Sequence, residues 1–133
     1  MNEHILVVED DDSIRRLLVD WLEEHEHVVV DGARDGVEAL HQVAMKRYSV
    51  IVLDVLMPKM SGIDFLDSLH ALVEDPSVKT MERPPAVVVI TSAPPSEVPD
   101  EAIKHRFPVA AVLRKPLDMS VLGDIVERLT SKA

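Results

Sequence analysis

No cysteine occurs anywhere in the 133 residues, which excludes a disulfide framework and thiolate chemistry. Aromatic side chains are nearly absent: Trp21, Tyr48, Phe65 and Phe107 are the whole set, so a core must be built mostly from Val, Leu, Ile and Ala. Positive charge is scarce. The formal net charge is −10, whereas non-specific nucleic-acid binding needs Lys and Arg to neutralise phosphates, so nucleic acid is not an expected partner. No apolar run approaches the ~20 residues of a membrane-spanning helix. The start, Met1-Asn-Glu-His4, has neither the basic cluster nor the apolar stretch of a signal peptide. The expectation is a soluble cytoplasmic protein.

What is there is a regular alternation. Short apolar runs at Ile5–Val8, Val28–Val30, Ser49–Leu53, Ala86–Ile90 and Val109–Arg114 read as strands buried on both faces. Between them lie helical stripes. Ile14, Leu17, Leu18, Trp21 and Leu22 form the first, with Asp12 or Ser13 as its N-cap. Val37, Leu40, Val43 and Ala44 mark a second within Asp35–Arg47, and Asp31-Gly32 should break the strand before it. Ile63, Phe65, Leu66, Leu69 and Val73 mark a third, after a loop bracketed by Pro58 and Gly62. The polar stretch from Glu74 to Pro85 reads as a loop. Pro94, Pro95 and Pro99 exclude regular helix from 93–99, leaving a short helix from Pro99 towards Phe107. Val121, Leu122, Ile125, Val126 and Leu129 mark the last. Five strand–helix alternations predict an α/β fold with a parallel sheet and helices on both faces. The length fits one domain spanning 1–133, with no room for an effector domain.

In such sheets ligands bind beyond the carboxyl ends of the strands. Glu9 and Asp10 follow the first apolar run, Asp54 the third, and Lys115 the fifth. Parallel strands would gather three carboxylates around one ammonium, a pocket suited to a divalent cation and a phosphoryl group. His25-Glu-His27 reads as a solvated turn rather than a metal site, and Trp21 as core rather than a docking aromatic. Arg15 and Arg16, at the start of the first helix, read as a solvated face.

These residues resemble the receiver domain of bacterial two-component response regulators, over essentially the whole chain. The resemblance is carried by Ile5-Leu-Val-Val-Glu-Asp10, Asp54-Val-Leu-Met-Pro-Lys-Met-Ser-Gly62, Val89-Ile-Thr-Ser-Ala93 and Leu113-Arg-Lys-Pro116. It implies a flavodoxin-like sheet in the order 2-1-3-4-5. It also implies Asp54 as phosphoacceptor, Thr91 and Lys115 contacting the phosphoryl group, and Mg²⁺ held by Glu9, Asp10, Asp54 and the backbone carbonyl of Leu56. A cis Lys115–Pro116 bond is implied too. The partners would be a sensor histidine kinase or phosphotransfer protein and a downstream protein target; pairing into a homodimer stays open. The chain would be no enzyme beyond its own phosphorylation and dephosphorylation.

Two features depart from the family. Val112 stands three positions before Lys115, where most receivers carry Tyr or Phe, so a signal by ring rotation is not expected. The Pro94–Pro99 segment should shorten or displace the fourth helix, and the long 74–85 loop reads as a tolerated insertion or a partner-binding loop. Two other readings remain open at this point. One is a phosphorylation-independent pseudo-receiver that only binds partners. The other is a haloacid-dehalogenase-like phosphatase built on Asp10-Asp-Asp-Ser-Ile14, with Asp10 rather than Asp54 as its essential acid.

Overall fold

The computed structural model describes residues 3–57 and 60–130. Five strands, β1 (His4–Val8), β2 (Val29–Ala33), β3 (Val50–Asp54), β4 (Ala86–Thr91) and β5 (Ala111–Arg114), form one parallel sheet in the order β2-β1-β3-β4-β5. They alternate with α1 (Asp12–Glu26), α2 (Gly36–Met45), α3 (Gly62–Val73), α4 (Asp100–Lys104) and α5 (Met119–Thr130). This is the doubly wound, flavodoxin-like arrangement expected from the alternation of elements.

Side chains alternate across a strand with period two, and the core divides accordingly. Leu6, Val8, Ile51, Leu53, Val87 and Val89 pack on one face with Ala39, Val43, Phe65, Leu66, Leu69 and Ile103, from α2, α3 and α4. Ile5, Val7, Val50, Val52, Val88 and Ile90 pack on the other with Leu18, Leu22, Leu122 and Val126, from α1 and α5. Trp21 is half-buried against this second layer, as a core contributor. A methyl group on Gly123 would lie 2.6 Å from the Trp21 ring, so this glycine lets α5 approach α1 closely.

Several boundaries differ from those read in the sequence. β2 does not stop at Asp31-Gly32 but runs to Ala33, its residues paired with Leu6, Val7 and Val8 of β1. Asp31 is tolerated there because Lys46 Nζ and Tyr48 Oη both reach its Oδ2, at 2.9 and 2.7 Å. Leu17 does not belong to the buried stripe of α1, being 58% exposed. On α2 the buried positions are Gly36, Ala39 and Val43, while Val37 and Ala44 face outward. α4 is five residues long and ends at Lys104, short of Phe107, with Pro99 as its N-cap. His25 lies in the last turn of α1 rather than in a free turn, its ring stacked on Trp21 at 4.2 Å. His27 ends that helix in the left-handed conformation, φ 54°. The 74–85 loop contains a 3-10 turn, Lys79–Met81, whose Met81 is buried in the core. Pro58 lies outside the described residues.

Candidate phosphoryl and metal site

The strand register explains how the acids meet. Ile5 pairs with Val50 and Val8 with Leu53, so Glu9 and Asp54 lie at neighbouring ends of β1 and β3. By the period-two alternation both continue the row that faces α1 and α5. Lys115 continues the same row beyond Ala111 and Leu113 of β5, which also pack on that side. The three side chains therefore converge across β4. Lys115 Nζ donates to Glu9 Oε1 at 2.9 Å and to Asp54 Oδ2 at 3.2 Å. Ligand oxygens of Glu9, Asp10 and Asp54 lie within 4.8 Å of one another.

The two carboxylates on the lysine are buried, Glu9 at 1% and Asp54 at 3% exposure, whereas Asp10 faces solvent. Burial pushes the Glu9 carboxyl up to about 7. The hydrogen bond from Lys115 opposes that rise and the charge of Asp54 adds to it. For Lys115, burial works downward, but the hydrogen bond with Glu9 and the charge of Asp54 prevail and hold its ammonium above the ordinary lysine range. The ammonium is thus a fixed positive charge at neutral pH.

Backbone groups complete the frame. Leu56 N–H donates to Asp54 Oδ1 at 2.9 Å, and Asp11 N–H donates to Glu9 Oε2 at 3.2 Å. Arg15 Nη1 donates to the Glu9 carbonyl at 2.9 Å, so this arginine braces the acid loop instead of simply facing solvent. Gly62 closes the Asp54 loop: its N–H donates to the Val55 carbonyl at 3.0 Å, and a Cβ there would sit 2.4 Å from Val55 Cα. The Lys115–Pro116 bond is cis.

Thr91 stands differently. It ends β4 with the parity of Val89, on the α2–α3–α4 side, and among the described residues its hydroxyl makes no hydrogen bond to the acid cluster. It is fully buried, and its Oγ1 accepts from Ala93 N–H at 3.0 Å. Its hydroxyl hydrogen has no acceptor among the described residues. Its carbonyl accepts from Lys115 N–H at 2.8 Å, which ties it to the lysine through the backbone.

The donor set suits Mg²⁺: hard carboxylate oxygens from three side chains, two buried and one exposed, gathered within 4.8 Å of one another. Arg114 was outside the expected set. Its Nη1 donates to the Ala93 carbonyl at 2.9 Å, and its guanidinium pairs with Asp100 on α4. A charged residue closing an otherwise apolar run was the one signal for it.

Residues 5–127 match the family model of the response regulator receiver domain, and the chain belongs to that family. A protein-glutamate methylesterase/protein-glutamine glutaminase of Myxococcus xanthus is 33% identical over 114 residues, 85% of this chain. The chain spans only 30% of that relative's length, so the esterase activity in its name belongs to that protein. Among solved structures, the receiver domain of the Francisella response regulator 1452 is 27% identical with a TM-score of 0.79, covering 96% of both chains. Response regulator TrrA of Thermotoga maritima, solved in complex with Mg(2+)-BeF, is 24% identical with a TM-score of 0.76 and shares the fold over 96% of this chain and 98% of its own.

Proposed function

We propose that this receiver domain takes a phosphoryl group onto Asp54 from the phosphohistidine of a sensor kinase or phosphotransfer protein, and signals by phosphorylation-dependent binding to another protein. One observation carries the reading: two buried carboxylates, Glu9 and Asp54, share the Lys115 ammonium, with Asp10 completing a group within 4.8 Å. Charge of this kind is costly to bury and serves no packing purpose, so it marks chemistry.

In the transfer, a carboxylate oxygen of Asp54 forms a bond to phosphorus while the P–N bond to the donor histidine breaks, and the imidazole leaves with the bonding pair. Leu56 N–H and Lys115 hold the two Asp54 oxygens in place. Lys115 then faces the negative oxygens of the transferring group. The free hydroxyl hydrogen of Thr91 provides a further donor once the side chain turns towards them. Glu9, Asp10, Asp54 and the Leu56 carbonyl would hold Mg²⁺, which when bound neutralises phosphoryl charge. Attack of water on phosphorus, with Asp54 leaving as carboxylate, reverses the modification. The exposed position of Asp10 and the burial of Asp54 beside Lys115 favour Asp54 over Asp10 as the nucleophile, against the phosphatase reading.

The test is intact mass after incubation with Mg²⁺ and a small acyl phosphate. The expected result is a single phosphoryl adduct in the wild type and none in Asp54→Asn. An adduct that persists in Asp54→Asn removes Asp54 from the role. No adduct in the wild type leaves a phosphorylation-independent interaction module.

A further inference from the structure

Ala93 is gripped at both ends. Its N–H is held by Thr91 Oγ1 at 3.0 Å, and its carbonyl by Arg114 Nη1 at 2.9 Å. The same guanidinium pairs with Asp100, the first residue of α4. Pairing of Thr91 with Arg114 in the β4–β5 register brings these groups together. Arg114 has the parity of Val112, so it emerges on the side of the sheet where Ile103 of α4 packs. A chain of contacts thus runs from the Thr91 hydroxyl through the backbone of one buried residue, Ala93, and one arginine to a helix of five residues.

We propose that Arg114 is a positioning residue that couples the state of Asp54 to the placement of α4. The inference rests on the phosphoacceptor reading. When Thr91 turns its hydroxyl towards a phosphoryl group on Asp54, Ala93 N–H loses the geometry of its acceptor. A buried N–H without a partner is costly, so the 92–95 segment shifts to satisfy it. The carbonyl of the same residue moves with it and carries the planar fork of Arg114, which also holds Asp100. α4 is short; besides this clamp, Ile103 sits in the core and, just past the end of the helix, Arg106 pairs with Asp67 of α3 at 2.8 Å. Val112, half-buried against the same layer, has no ring to swing, so the arginine provides the mechanical link.

Amide shifts with Mg²⁺, before and after addition of beryllofluoride as phosphoryl mimic, test this in the wild type, Arg114→Met and Asp100→Ala. In the wild type, amides at 54–56, 91–93 and 100–104 are expected to shift together. In each variant the first two groups shift as in the wild type, which also reports an intact fold and site. The shifts at 100–104 fall to less than half. Equal shifts at 100–104 in either folded variant overturn the coupling role. Wild-type shifts at 54–56 and 91–93 with 100–104 unmoved overturn it as well, leaving the phosphoacceptor reading standing. No response at 54–56 in the wild type overturns that reading and this inference with it.

Discussion

Glu9 combines near-complete burial with an ammonium neighbour, and burial outweighs the neighbour, leaving the carboxyl near 7. The sign of the consequence follows from proton counting. Between the ordinary glutamate value of 4.5 and about 7, the folded protein keeps a proton that the unfolded chain has released. Stability contributed by this residue therefore falls as pH rises through that window, and the cost is fully present above it. In the presence of chelator, Glu9→Gln is expected to gain on the wild type in urea midpoint as pH goes from 5 to 8. A gain of 1 kcal/mol corresponds to a rise of about 4 °C in Tm for a domain of this size. A midpoint difference that stays constant with pH contradicts the assignment. At this scale Glu9, Asp10, Asp54 and Lys115 were legible in the sequence because each ends an apolar run. The bracing by Arg15 and the clamp by Arg114 were not, since a hydrogen bond to a distant carbonyl leaves no spacing to read.

Elements were legible where burial followed a period, and obscured where a polar pair replaced it. β2 contains Asp31-Gly32, a pair that ordinarily signals a turn, yet Lys46 and Tyr48 satisfy the acid and the strand continues to Ala33. The 74–85 loop carries no periodic signal at all, because a single 3-10 turn fixes it. Thr80 Oγ1 donates to the Val43 carbonyl at 2.6 Å, and Met81 fills the layer between α2, α3 and the sheet. The loop is thus anchored to the core through Met81, although most of its residues are exposed. Met81→Ala should cost about 2–5 kcal/mol, the range for truncating a buried Met. Chemical denaturation measures it; a loss below about 0.5 kcal/mol, the level of an ordinary surface change, shows that the loop is not anchored.

The whole fold was the most legible level. Five strand–helix alternations leave few topologies once crossovers must be right-handed, and the sheet order follows from them together with the family resemblance. What the molecule does with that order is to bring like charges together. Three carboxylates near one ammonium leave the pocket with excess negative charge, so a divalent cation should stabilise the native state by mass action. Mg²⁺ at 100 times its dissociation constant should add about 2.7 kcal/mol. Melting curves with Mg²⁺ and with chelator are expected to separate for the wild type and to converge for Asp10→Asn. Coincident curves for both proteins count against a usable site.

The contact between Lys115 and Glu9 joins positions 106 residues apart. While the chain is still emerging from the ribosome, the acids of β1 and β3 are present long before their counterion. A chain cut off before β5 would keep the buried acids of β1 and β3 without the ammonium that Lys115 supplies to them.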